Sequence, residues 1–146
     1  MSKTAFVFPG QGSQAVGMGK DLYENSEKAK SLYDKADEIM GMSLSKLSFD
    51  GPQEELKQTN YTQPALFVHS FILASLLEGK TAADCTAGHS LGEYTANAYA
   101  GSFDFETGLR LVKTRGELMK QSGVIQPGTM AALIGLNEEQ VLEICK

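Results

Sequence analysis

The segment at residues 88–92, with the sequence GHSLG, constrains the fold more than any other part of the chain. Residues 84–87 before it predict a short strand, and residues 91–100 predict a helix. A direct turn from strand to helix is so tight that residues two positions from its centre must lack side chains. The central Ser90 then projects at the start of the helix, where free N–H groups and the helix dipole stabilise negative charge. This pattern is typical of a nucleophile elbow and predicts Ser90 as a catalytic nucleophile.

The rest of the chain alternates short apolar runs, glycine turns and helical periodicity, which is typical of an α/β protein. Pro64 stands where a first helical turn tolerates proline, and the helix predicted after it is apolar nearly all round and therefore buried. A capping-box pattern at Asn137 and Gln140 predicts the start of a further helix. The sequence thus predicts an α/β fold with a parallel sheet, with further strands at residues 4–8 and 130–134 and further helices at 27–40, 52–57, 65–77 and 105–121.

Length and composition are those of a globular chain of about one domain, with 146 residues, 42% hydrophobic and 21% charged. The formal charge of −5 without basic runs argues against nucleic-acid and membrane partners, because binding to nucleic acid or to an anionic membrane depends on a positively charged surface. The apolar run near the amino terminus is too short for a signal peptide, so we expect a cytoplasmic location. Cys85 and Cys145 match no metal-binding spacing, and we expect buried thiols without a disulfide or a metal.

A second glycine-rich segment, GQGSQ at residues 10–14, directly follows the first predicted strand. Ligands gather at the carboxyl ends of parallel strands, so we expect this loop and the Ser90 turn to meet at one edge of the sheet. Gly10, Gly12 and Ala15 also fit a dinucleotide-binding fingerprint, which makes a Rossmann-type site the main rival. Two features disfavour it: the sequence VGMG at 16–19 replaces an uninterrupted helix, and no second strand ends in Asp or Glu at the right distance.

Arg115 falls within the apolar arc of the helix predicted at 105–121, and we expect it to be the one cation that this helix directs inward. A buried guanidinium is costly unless an anion pairs with it, so its partner is either an internal acid or a substrate. The alternative is a structural arginine that snorkels at the edge of the core. A nucleophilic serine also needs a base, and neither histidine is well placed for that role: His89 adjoins Ser90, and His69 lies in an apolar helix.

Four motifs together resemble one enzyme family. Residues 8–14 (FPGQGSQ), 62–66 (TQPAL), 88–93 (GHSLGE) and 115–116 (RG) are similar, in order and spacing, to the acyltransferase family of malonyl-CoA:acyl carrier protein transacylases. The resemblance implies an α/β-hydrolase-like core with a parallel sheet, of which residues 1–126 form the amino-terminal part. It further implies that residues 127–146 begin an inserted ferredoxin-like subdomain, which they leave incomplete.

The resemblance also implies a chemistry for the site. Ser90 would accept a malonyl group from malonyl-CoA and pass it to the phosphopantetheine thiol of acyl carrier protein, in fatty acid biosynthesis. Backbone N–H groups of Gln11 and Leu91 would form the oxyanion hole. Arg115 would bind the free malonyl carboxylate, and Gln63 would lie near the site and support the serine loop. The family needs no cofactor of its own, because the prosthetic group belongs to the carrier protein.

The carboxyl-terminal half is where the chain departs from the family. Relatives are considerably longer, and their activating histidine comes after the position of Lys146, so we expect the fragment to be inactive alone and to need the missing carboxyl-terminal half of the same enzyme as a partner. Two alternatives stay open. One is a serine hydrolase of the patatin or α/β-hydrolase type, although no HGGG-type loop is present. The other is a non-catalytic binding module.

Overall fold

The computed structural model describes residues 3–126, 128 and 133–146. Within these residues the chain forms a small parallel sheet and a set of helices. None of the helices in this part of the chain has both the length and the apolar character needed to cross a membrane. The elements in chain order are β1 (Ala5–Phe8), α1 (Lys20–Asn25), α2 (Glu27–Met40), α3 (Leu44–Asp50), α4 (Gln53–Leu56), α5 (Thr59–Leu76), β2 (Cys85–Gly88), α6 (Gly92–Tyr99), α7 (Phe105–Ile125) and α8 (Glu138–Ile144).

The two strands confirm the predicted α/β fold with a parallel sheet. β1 pairs with β2 in parallel, with Ala5 opposite Cys85 and Phe8 opposite Gly88. Because the strands run in the same direction and in register, the loops that follow Phe8 and Gly88 leave the sheet at the same edge. The strand predicted at 130–134 falls largely on residues 130–132, which lie outside the described part of the chain.

The two faces of this sheet differ in burial. Phe6 and Phe8 lie on the face that packs against Tyr99 of α6, whereas Val7 on the opposite face is 73% exposed. Cys85 shares the face of Val7 through the register, and its side chain is exposed, as is that of Cys145. The expectation of buried cysteines was therefore wrong. An apolar run predicts a strand but does not tell which of its faces other elements cover.

The core is centred on α5, which packs along α7. Leu66, Phe67 and Ile72 of α5 are fully or almost fully buried, as its apolar character predicted. The backbones of the two helices lie close together at Gly116 of α7, where an added Cβ would lie 2.9 Å from Cα of Asn60. This close approach brings the middle of α7 next to the first turns of α5.

Several predicted helix boundaries require correction. α5 begins at Thr59, five residues before Pro64. The carbonyl of Gln58 accepts the first hydrogen bonds of the helix, and Pro64 removes only one later hydrogen bond because it lacks an N–H group. α7 extends to Ile125. α1 and α3 were not predicted, since six or seven residues are too few for a clear periodicity.

Two further expectations had different outcomes. The capping box at the start of α8 is present, with Asn137 and Gln140 exchanging side-chain to backbone hydrogen bonds of 3.0 Å. Arg115 is not the only inward cation of α7, because Lys113 is half-buried and its Nζ lies 3.2 Å from the carbonyl oxygen of Ile39, at the end of α2. A lysine at that position satisfies a carbonyl that the helix end leaves without a partner.

Candidate active site

Ser90 occupies the turn between β2 and α6 in a left-handed backbone conformation. Its φ is 52°, and it is the one non-glycine residue with a positive φ in the described part of the chain. A Cβ built on Gly88 would overlap the backbone of Gly92, and a Cβ built on Gly92 would overlap the carbonyl of Phe8. The prediction that both neighbours must lack side chains is confirmed. A serine held at this φ costs about 1–3 kcal/mol, and such strain is common at functional sites.

Arg115 reaches this turn from α7. Its Nη2 donates a hydrogen bond of 3.0 Å to Oγ of the exposed Ser90, and its Nη1 donates one of 2.6 Å to Oε1 of Gln63. The predicted inward direction of Arg115 is confirmed. None of the ion pairs formed among the described residues includes Arg115, so its recorded partners are a neutral hydroxyl and a neutral amide. The charge of the guanidinium is therefore available to an anion.

Two more side chains hold this arrangement, and neither was predicted from the sequence as part of the site. Sδ of Met119 lies 3.0 Å from Nε2 of Gln63, and Cζ of Arg115 lies 5.7 Å from the centre of the Tyr94 ring. Met119 had a usable signal in its spacing, because it follows Arg115 by four positions in α7 and so lies one helical turn further along the same face. Tyr94 had none, because Ser90 lies outside α6 in the left-handed conformation and the contact of Tyr94 with Arg115 joins two different helices.

The glycine-rich loop after β1 packs against the serine turn, as predicted. An added Cβ on Gly10 would lie 2.7 Å from the carbonyl oxygen of His89, whose own N–H donates to the carbonyl of Phe8 at 3.1 Å. Nε2 of Gln11 donates to Oγ1 of Thr59 at 3.1 Å, which ties the loop to the start of α5. The loop and the serine turn are thus held together at one edge of the sheet.

The Rossmann-type rival does not fit this loop. Its fingerprint requires a helix to open at the glycines, with the pyrophosphate bound at the helix amino terminus. Residues 9–19 form turns and irregular structure, and α1 begins only at Lys20. The local structure therefore lacks the helix start that a dinucleotide would need.

Neither histidine forms a hydrogen bond with Ser90 in the described part of the chain. The ring of His89 lies against Gly10, with Nδ1 2.9 Å from the position of an added Cβ. His69 is half-buried in α5, where Nδ1 is 3.4 Å from the hydroxyl of Tyr33, and burial lowers the pKa of its imidazole. Because Oγ of Ser90 accepts its bond from Arg115, the serine hydroxyl keeps its proton for donation to a base.

A groove of about 580 Å³ opens beside these residues. It is lined by Gln11, Thr59, Met119 and Lys120 and by residues of the last turn of α7. Lys120 is held by Oε1 of Gln58 at 3.0 Å. The lining of the groove thus includes Met119, which contacts Gln63, and a positively charged side chain.

The sequence model of the acyl transferase domain matches residues 5–146. The chain belongs to the acyl transferase domain family. A malonyl CoA-acyl carrier protein transacylase of Bacillus subtilis is 46% identical over 145 residues, which are 99% of this chain and 46% of that relative. The chain therefore spans about half the length of the curated relatives it matches. The family predicted from the four motifs is confirmed.

Solved structures of this family have the same fold. The malonyl-CoA:ACP transacylase of Synechocystis sp. PCC 6803 superposes with a TM-score of 0.88 at 49% identity, over 97% of this chain and 47% of that structure. A type II PKS acyl-carrier protein in complex with its malonyl-transacylase gives a TM-score of 0.84 at 38% identity, over 99% and 47%. These similarities extend over nearly all of the present chain.

Proposed function

We propose that this chain carries the nucleophile and the acyl-binding residues of an enzyme that transfers malonyl groups from coenzyme A to the phosphopantetheine thiol of acyl carrier protein in fatty acid biosynthesis. The observation that carries the proposal is the 3.0 Å contact between Nη2 of Arg115 and Oγ of Ser90. A malonyl ester on Oγ ends in a carboxylate only a few bonds away, within reach of the same guanidinium. An acetyl ester has no such group, so Arg115 would favour malonyl.

The reaction begins with attack of Oγ of Ser90 on the thioester carbonyl of malonyl-CoA. The new C–O bond forms as the serine proton passes to a base, and the carbonyl oxygen becomes negatively charged. Backbone N–H groups of Gln11 and Leu91 would stabilise this oxyanion, each contributing about 3 kcal/mol in the transition state. The C–S bond then breaks, and coenzyme A leaves as the thiol with the proton held by the base.

The second half-reaction returns the enzyme to its starting state. The phosphopantetheine thiol attacks the malonyl ester, the base takes the thiol proton, and Oγ of Ser90 leaves and recovers a proton. The groove beside Gln11 and Met119 has room for the pantetheine arm, and Lys120 would attract its phosphate. In this proposal the chain has no cofactor of its own, because the phosphopantetheine group belongs to the carrier protein.

In this proposal the base is a histidine outside residues 1–146, as the family resemblance implies. The carboxyl-terminal half that the relatives possess would supply it and would complete the protein. Residues 1–126 then form the amino-terminal part of an α/β-hydrolase-like core, and residues 127–146 begin a ferredoxin-like subdomain. The acyl carrier protein in complex with one similar transacylase supports such a carrier protein as the partner. We expect the whole protein to act in the cytoplasm.

A chimera tests the proposal. It joins residues 1–146 to the carboxyl-terminal half of the Bacillus subtilis transacylase, and it is compared with the chain of 146 residues alone. After mixing with malonyl-CoA, intact mass spectrometry and peptide mapping should find a malonyl adduct on Ser90 in the chimera only, and holo acyl carrier protein should remove it.

The control is Ser90→Ala in the same chimera, which should remain unlabelled. Release of free malonate without carrier protein, faster than transfer to it, would indicate a serine hydrolase. If the folded chimera forms no adduct, the proposal is wrong, and a non-catalytic binding module becomes the better interpretation. An adduct at another residue would also contradict the assignment of Ser90.

A further inference from the structure

We propose that Tyr94 is a positioning residue, whose ring holds the Arg115 guanidinium in place to bind the carboxylate of the acyl group on Ser90. The inference rests on the proposed function, because it needs Arg115 to bind that carboxylate. It concerns a residue that makes no contact with the reacting atoms and acts only through Arg115.

The placement of Tyr94 follows from the serine turn itself. Tyr94 lies in the first turn of α6, four residues after Ser90, and its N–H donates to the carbonyl of Leu91 at 3.0 Å. The half-buried ring also packs against the buried core that includes Leu66 and Phe67 of α5. From there it supports Arg115, whose Cζ lies 5.7 Å from the ring centre, within the range of a cation–π contact.

The guanidinium is held by three different elements. Gln63 on α5 and Ser90 at the turn accept its N–H groups, while Tyr94 on α6 provides an aromatic surface. Hydrogen bonds from a guanidinium lie in the plane of the group, so they do little to stop that plane from tilting. A ring beneath the group opposes the tilt without using any of its N–H donors. The remaining N–H groups stay available for a carboxylate.

The contribution of Tyr94 should be largest after Ser90 has been acylated. In the ester, Oγ is a poorer hydrogen-bond acceptor than in the free hydroxyl, so Arg115 loses part of its contact with the turn. Gln63 and Tyr94 are then the groups that keep the guanidinium beside the acyl chain. An aromatic ring carries no negative charge and does not compete with the malonyl carboxylate for Arg115.

The test compares three variants of Tyr94 in the chimera. Tyr94→Leu removes the ring, Tyr94→Met removes it but keeps a longer, unbranched side chain, and Tyr94→Phe keeps the aromatic face. The kcat/KM and KM for loading of Ser90 are measured with malonyl-CoA and with acetyl-CoA. We expect Tyr94→Leu and Tyr94→Met to lower the malonyl to acetyl ratio of kcat/KM by about fivefold to thirtyfold, mainly through the malonyl KM. Tyr94→Phe should keep the ratio within about twofold.

Tyr99 provides the matched control. It is a half-buried tyrosine on the same helix, but its ring packs against that of Phe6, with 5.2 Å between the ring centres. Tyr99→Leu should therefore lower the melting temperature without changing the malonyl to acetyl ratio. If folded Tyr94→Leu or Tyr94→Met behaves like Tyr99→Leu, the residue is only structural and the inference fails. Equal losses in Tyr94→Phe and Tyr94→Leu would also overturn it.

Arg115→Ala in the same assay separates this inference from the proposed function. If Arg115→Ala leaves the malonyl to acetyl ratio unchanged, the carboxylate-binding role of Arg115 is wrong, and the role of Tyr94 fails with it. If Arg115→Ala lowers the ratio but folded Tyr94→Leu and Tyr94→Met do not, the proposed function stands and only the positioning role of Tyr94 is lost.

Discussion

Nη1 of Arg115 donates a hydrogen bond of 2.6 Å to Oε1 of Gln63, a side chain with no exposed surface. Nε2 of the same amide lies 3.0 Å from Sδ of Met119. These two contacts give the amide a defined orientation, with its oxygen towards the guanidinium. Because an amide oxygen is neutral, it holds Arg115 in place without neutralising the positive charge that a carboxylate would bind.

Gln63→Glu should separate the position of Arg115 from the availability of its charge. The carboxylate still accepts the N–H bond but pairs with the guanidinium and competes with the substrate. In the chimera we expect kcat/KM for malonyl loading to fall by about tenfold or more, because a hydrogen bond between charged groups contributes about 1.5–3 kcal/mol. The melting temperature should change little. Gln63→Leu should lower both quantities, because it removes the buried amide oxygen that accepts from Nη1 of Arg115. Unchanged malonyl loading in Gln63→Glu would contradict this account of Arg115.

Gly92→Ala should be among the most damaging small substitutions in the chain. Its Cβ would overlap the carbonyl of Phe8, so the turn and β1 would have to separate. We expect the free energy of unfolding to fall by about 3 kcal/mol or more, measured by urea denaturation of the chimera. Gly123→Ala is the control, because a Cβ at that helical position meets no other atom within 4 Å. Gly123→Ala should raise the free energy of unfolding by about 0.5–1 kcal/mol. If Gly92→Ala and Gly123→Ala change the free energy of unfolding equally, the turn is not tightly packed.

The serine turn could be predicted from sequence because its requirements are local. Gly88 and Gly92 meet atoms only a few residues away or in the neighbouring strand, so a short motif contains most of the information. The same holds for α2, whose predicted range of 27–40 coincides with Glu27–Met40. That helix begins at a Ser26 side chain that accepts from the third residue and ends at Gly41 in the left-handed conformation.

Contacts between distant elements could not be predicted in this way. The Tyr94–Arg115 contact depends on how α6 and α7 pack, and the two residue types do not predict it. Burial of Cys85 was predicted wrongly for the same reason, because the covering of a strand face is decided by other elements. Arg115 itself was an intermediate case, because its inward direction follows from helical periodicity but its partners do not. Its contact with Gln63 depends on how α5 packs against α7, and its contact with Ser90 depends on where the turn before α6 lies.

The strained conformation of Ser90 can be measured by comparing two variants that both lack the hydroxyl. Glycine adopts a φ of 52° without strain, whereas alanine does not. We therefore expect the Ser90→Gly chimera to have a free energy of unfolding about 1 kcal/mol higher than Ser90→Ala, the reverse of the usual order of these residues. Neither variant should form a malonyl adduct. A more stable Ser90→Ala would mean that the turn does not hold residue 90 in the left-handed region in solution.

His69 should make the stability of the protein depend on pH. Burial beside Tyr33 lowers the pKa of this imidazole from its ordinary value of 6.5, and the charge of Asp21 opposes that shift more weakly. Between the lowered pKa and 6.5 the unfolded chain binds more protons than the folded one, so the free energy of unfolding falls as the pH drops below about 6.5. The slope cannot exceed about 1.4 kcal/mol per pH unit for one group. Urea denaturation of the chimera and of its His69→Gln variant, from about pH 5 to about pH 7.5, measures this pH dependence of the free energy of unfolding. Equal pH dependence in the two proteins would exclude His69 as its source.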